Sequence, residues 1–195
     1  PIDYWKELKS RRTSPNGVFG FKMFLNNFTR ISHIYPRLLP FIQSDHVIFL
    51  YRRDAVAQAV SQAKATLSDI WFYEESVIPK PSYYNFELIN EFYEEAVRQH
   101  NTWIELFERA ECKPITVCYE DFTADIRGTI NNIASTMQID LEHKAPVKNL
   151  LRVIRQSDDI NNQWILQFIK DKWGHNAPES SGYIHIDRQY YNSSD

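Results

Sequence analysis

The chain has 195 residues, 43% of them hydrophobic and 24% charged, which is enough apolar material for one large soluble domain with its own core. Its formal net charge of -3, from 22 Lys and Arg against 25 Asp and Glu, argues against a general nucleic-acid-binding surface, so any anion site has to be local. No apolar run reaches the ~20 residues of a membrane span and no charged-then-apolar start marks a secretion signal. The two cysteines, Cys112 and Cys118, read as thiols in a reducing compartment, so a cytoplasmic location is the expectation.

In chain order, DYWKELKSRR (3–12) reads as a short amphipathic helix broken by SPNG (14–17). VFGFKMF (18–24) reads as a strand, with Gly20 allowing close backbone approach. FTRISHIYPRLLPFI (28–42) reads as a helix interrupted at Pro36 and Pro40. HVIFLY (46–51) is a short continuous apolar run, the pattern of a strand buried on both faces. Arg52 and Arg53 follow at once, then Asp54, a natural N-cap. The helix it opens has the apolar stripe Val56, Ala59, Val60, Ala63 and Leu67.

WFYEESVIPKPSYY (71–84) is aromatic and proline-broken and reads as a loop. The longest helix is expected over 85–110, where Phe86, Ile89, Tyr93, Ala96, His100, Trp103 and Phe107 alternate at steps of three and four. That seam is expected to be core rather than a subunit contact, because a sheet needs a covering layer. His100, on the seam, is then a buried imidazole and not a base. PITVCYEDF (114–122) starts as a third strand, ADIRGTINNIASTM (124–137) is a helix N-capped from Thr123, and 151–173 is helical with a break near Ser157. Strands separated by helices imply an α/β fold, a three-layer, mostly parallel sheet flanked by helices, over residues 1–175, with a polar tail at 176–195.

For chemistry, the two arginines stand where a strand turns into a helix, which is where open α/β sheets place ligands. Arg53 and Ser61 are eight apart, so an extended guanidinium lying along two helical turns meets the hydroxyl over one phosphate; the alternative is two surface side chains pointing apart. Arg52 is expected to pair structurally with Asp54 or Glu120. None of the five glycines sits in a G-x-x-x-x-G-K-[ST] pattern, which argues against a P-loop kinase. No Cys/His spacing suggests a metal, and His33 and His46 have no partner visible in sequence.

FLYRRDAVAQAVS resembles the 3′-phosphate-binding strand and helix of sulfotransferases that use 3′-phosphoadenosine 5′-phosphosulfate (PAPS). The RRDAVAQAVS wording, with GVFGFKMF, YYNFELI, TVCYEDF and IRQSDDINNQW in order, is similar to the bacterial trehalose 2-sulfotransferase-like family over about residues 1–170. The resemblance implies a P-loop NTPase-like sulfotransferase fold, PAPS as donor, a carbohydrate or glycolipid hydroxyl as acceptor, and a homodimer. It implies Arg53 and Ser61 as the 3′-phosphate pair, Tyr119 beside the adenine, and Arg155 and Gln156 closing over the nucleotide. Tyr119 as a core aromatic, and Arg155 and Gln156 as a solvated helix face, remain open. Trp71 and Phe72 are candidates to offer a flat face to a sugar ring, or else pack under a loop. Lys22 is a candidate to face the leaving phosphate, or else a structural strand lysine.

The departures are as informative. In that family the strand, loop and helix that grip the 5′-phosphosulfate, and the carboxylate usually proposed as base, precede the segment matching residues 1–12. The sequence from Pro1 is therefore expected to lack this N-terminal strand–loop–helix, to have an upstream segment, and to transfer no sulfuryl group as 1–195 alone; the general base is unassigned. The competing reading is a non-catalytic nucleotide-binding or assembly module that keeps only the 3′-phosphate half-site.

Overall fold

Residues 2–38, 46–71, 82–141 and 159–174 are described by the structure, a computed structural model, and they fall into two compact units, Pro1–Val47 and Ile48–Asp195. The expected tail at 176–195 lies outside the described residues. No helix among the described residues is long and apolar enough to cross a membrane.

The first unit opens with α1 (Ile2–Arg12), which carries Asp3 in its first turn and Lys9, Arg11 and Arg12 in its last, charges that complement the helix dipole at both ends. It ends in a turn where Gly17 takes a φ of 82°, left-handed backbone that costs a glycine nothing. Residues 18–24, expected as a strand, carry no regular secondary structure. The period-two pattern is there, since Phe19 and Phe21 both meet Trp5 edge-on at 5.9 and 5.0 Å. Among the described residues no second strand pairs with the segment, and an extended segment without a paired strand is not a strand. α2 (Leu25–Ile34) follows and buries Leu25; a short 3₁₀ turn, Pro36–Leu38, takes over where the expected proline break falls.

The second unit is built on β1 (Ile48–Tyr51), α3 (Ala55–Ser68) and α4 (Phe86–Arg109), followed by β2 (Ile115–Cys118). β1 and β2 pair in parallel, Ile48 opposite Ile115 through Tyr51 opposite Cys118. Among the described residues the sheet has these two strands and not the three expected. β1 is also covered on one face only: Phe49 is buried, whereas Ile48 and Leu50 are 46% and 58% exposed, contrary to the two-sided burial read from its unbroken apolar run. The chain then runs through α5 (Tyr119–Ala124), α6 (Ile126–Thr136) and α7 (Asp159–Trp173). α6 is capped by Asp125, which accepts from the Gly128 N–H at 2.8 Å, and not by Thr123, whose hydroxyl donates to the Glu120 carbonyl.

The core follows the apolar stripes closely. Asp54 caps α3 by accepting from the Ala57 N–H, and Val56, Ala59, Val60 and Ala63 are fully buried with Leu67 packed beside them. Their small side chains let α3 lie close against α4 and α7, where Ile89, Trp164 and Phe168 complete the cluster. The α4 seam faces inward, with Ile89 and His100 buried and Phe86, Tyr93, Ala96, Trp103 and Phe107 half-buried. Phe86 and Tyr93 meet Phe168 of α7, while Phe107 and His100 reach Phe49 of β1 at 5.2 and 5.4 Å.

His100 is 6% exposed, between Phe49 and Tyr51, and burial holds its imidazole below the ordinary value. The unfolded chain therefore binds a proton that the fold resists, so stability falls as pH drops through the ordinary imidazole range, by at most about 1.4 kcal/mol per pH unit. Urea unfolding at about pH 7.5 and about pH 5.5 is expected to show this loss in the native protein and a smaller one in His100→Phe. An unchanged pH slope in the variant refutes the assignment.

Candidate functional site

The parallel register decides what meets what at the carboxyl end of the sheet. Because Tyr51 lies opposite Cys118, the residues leaving β1, Arg52–Arg53–Asp54, emerge beside those leaving β2, Tyr119–Glu120–Asp121. The two triplets bond to each other. Arg52 lays its guanidinium carbon 4.8 Å over the Tyr119 ring and its Nε sits 3.6 Å from Glu120 Oε1. The backbone N–H groups of Arg53 and Asp54 donate to Glu120 Oε2 and Oε1 at 3.0 and 3.2 Å. Arg53 Nη2 donates to both carboxylate oxygens of Asp121, at 2.8 and 2.7 Å.

Glu120 organises this end of the sheet. It accepts from the two N–H groups just ahead of α3 and from the Cys118 thiol at 3.0 Å. Burial alone raises its pKa, but those hydrogen bonds outweigh burial and hold the carboxyl below its ordinary value. Its neighbour responds in the opposite sense: burial, then the bond to Glu120, pushes the Cys118 thiol up. Cys118 and Cys112 are both free thiols. Arg52 Nε is buried and makes no hydrogen bond, so its attachment is the longer ion pair to Glu120 and the ring below it. The structural role expected for Arg52 is what the geometry shows.

Arg53 is different. Its side chain is 41% exposed and that of Asp121 is 67% exposed, and the bond to Asp121 raises the Arg53 pKa. It is a cation at a strand's carboxyl end, one residue before a helix N-cap, held among the described residues by a single exposed carboxylate. Ser61 lies half-buried on α3, about 10 Å further along the axis at 1.5 Å per residue. Tyr119 is half-buried, with Arg52 over its ring. Lys22 belongs to the first unit, is exposed, and sits 4.5 Å from the Phe24 ring. Trp71 is 55% exposed at the end of a described segment. Phe72, Arg155 and Gln156 lie outside the described residues.

Sequence reasoning missed Asp121 altogether and, in reading PITVCYEDF as a segment that starts as a strand, did not place the helix α5 that begins at Tyr119. A signal was present. Glu120 and Asp121 are two acids in a row, favourable in the first turn of a helix. They also stand at the same distance from the end of β2 as Arg53 and Asp54 do from the end of β1. Among the described residues no cluster of three or more His, Cys, Asp or Glu is suited to hold a metal.

Glu120→Ala leaves two backbone N–H groups without their acceptor and Arg52 without its counter-charge, and is expected to cost about 1–3 kcal/mol of stability. Because the folded pKa of Glu120 lies below its ordinary value, its contribution is present above the carboxylate range and lost as pH falls through the depressed value. The gap between native and variant in urea unfolding is thus full at neutral pH and shrinks below about pH 4. A gap that widens in acid contradicts this role.

Comparison with curated proteins finds no match to the chain. A family model, Stf0 sulphotransferase, matches residues 2–171, which takes in β1, α3, β2 and the paired triplets at their ends. With so much of its length matched, the chain belongs to the Stf0 sulphotransferase family.

Proposed function

We propose that the protein moves a sulfuryl group from PAPS to a hydroxyl of a carbohydrate or glycolipid acceptor, on a P-loop NTPase-like α/β scaffold. The observation that carries this reading, beside family membership, is Arg53: an exposed guanidinium at the carboxyl end of a parallel strand, one residue ahead of the Asp54 cap. Arginine offers a planar fork to a phosphate, and a serine two helical turns on adds a neutral hydrogen bond. Those residue types suit a nucleotide with a 3′-phosphate.

Arg53 and Ser61 would hold the 3′-phosphate, Tyr119 would flank the adenine, and Arg155 and Gln156 would close over the nucleotide. None of these does bond chemistry. PAPS supplies an activated sulfur, to which the acceptor oxygen bonds as the bond to the 5′-phosphate breaks and the hydroxyl proton passes to a general base. Lys22 is assigned to the charge that grows on the leaving phosphate, and Trp71 with Phe72 to the sugar ring.

Arg53→Ala is expected to weaken binding of adenosine 3′,5′-bisphosphate by about 1.5–3 kcal/mol, the range for a hydrogen bond to a charged group. Ser61→Ala costs less. Adenosine 5′-phosphate, which has no 3′-phosphate, should respond to neither change. Equal losses for both nucleotides in calorimetry remove the 3′-phosphate assignment, and absence of sulfuryl transfer from radiolabelled PAPS to any sugar acceptor by the full-length native protein removes the enzymatic one.

A further inference from the structure

We propose that Asp121 is a built-in competitor for the phosphate position: its carboxylate holds the Arg53 guanidinium and has to give it up before a phosphate takes it. The inference rests on Arg53 being the phosphate ligand. Its basis is a contrast between two adjacent acids. Glu120 is tied to the thiol of Cys118 and to the N–H groups of Arg53 and Asp54, so it cannot leave without unpairing part-buried backbone. Among the described residues the Asp121 carboxylate has one partner, Arg53 Nη2, which donates to both of its oxygens. With Asp121 67% exposed, water replaces that partner readily when the side chain turns outward.

Charge decides which ligands win the exchange. A carboxylate brings one negative charge and two acceptor oxygens, while a phosphate monoester near neutral pH brings about -1.5 to -2 and three. A nucleotide phosphate therefore outbids Asp121 where chloride or a carboxylate metabolite does not. Until then the pair holds the long Arg53 side chain in one place. Release runs in reverse: Asp121 retakes the guanidinium and favours departure of the bisphosphate product. Asp121 is thus a specificity-determining residue that lowers affinity for the intended ligand in return for closing the position to weaker anions.

The test is calorimetric binding of adenosine 3′,5′-bisphosphate and of adenosine 5′-phosphate to the native protein, Asp121→Asn, Arg53→Ala and the double variant, with circular dichroism to check the fold. Asp121→Ser serves as a second variant, and an exposed side chain tolerates both. Asp121→Asn is expected to tighten the bisphosphate two- to five-fold, where five-fold corresponds to the ~1 kcal/mol upper value for an exposed ion pair at about 1.4 kcal/mol per tenfold. Adenosine 5′-phosphate should bind as before, and the gain should vanish in the Arg53→Ala background. If Arg53→Ala weakens the bisphosphate but Asp121→Asn leaves it unchanged or weakens it too, Asp121 is not a competitor and the inference falls while the phosphate site stands. Equal tightening for both nucleotides, or tightening that survives Arg53→Ala, reduces the effect to net charge and overturns the inference as well. If Arg53→Ala itself leaves bisphosphate binding unchanged, the phosphate site falls and the inference with it.

Discussion

One carboxylate ties the two strand ends together. Glu120, two residues past β2, accepts the N–H groups of the two residues that carry β1 into α3. A pair of strands only four residues long has little backbone pairing of its own. The bridge adds charge-assisted bonds across the gap at the end where ligands bind in open α/β sheets. Because those bonds run to backbone and not to side chains, they position the start of α3 whatever Arg53 does. The scaffold and the exposed cation on it are separable for this reason.

The helix so positioned is held from behind by close packing. α3 presents small or β-branched side chains inward, and α4 and α7 bring Ile89, Trp164 and Phe168 against it. Each large side chain fully removed from water contributes about 1.5–3 kcal/mol. Polar ties at the rim fix how α7 sits on α4: Lys172 reaches Asn90 and Glu94, and Tyr84 donates to Asp171. Burial, and then the acceptor Asp171, push the Tyr84 phenol up, so it stays a donor through the physiological range. A rigid α3 is what a two-turn spacing between Arg53 and Ser61 needs if one ligand is to touch both.

Helices were legible in the sequence because their signals are local. The α3 stripe, the Asp54 cap, the 85–110 helix and the core position of His100 all follow from periodicity and capping within one segment. The family was legible too, from short stretches in order, and the match over 2–171 agrees. Pairing was not legible. Residues 18–24 alternate correctly but pair with no strand among the described residues, and Ile48 and Leu50 face outward although the run they sit in is apolar throughout. The Arg53–Asp121 contact spans 68 residues and exists because of a strand register, so no local pattern encodes it.

That register gives the chain an uneven tolerance to insertion and deletion. Sliding β2 by one residue moves Glu120 about 3.3 Å along the sheet and turns Cys118 to the opposite face, which breaks every bond between the two triplets at once. One residue gained or lost between Tyr51 and Asp54, or between Cys118 and Asp121, does the same damage. The crossover from residue 52 to 114 is another matter, since lengthening a long connection costs little closure entropy. Homologues of this chain can therefore vary in length within that crossover and still align to the residue at both strand ends. In such an alignment Arg-Arg-Asp and Tyr-Glu-Asp form one gapless block written in two places.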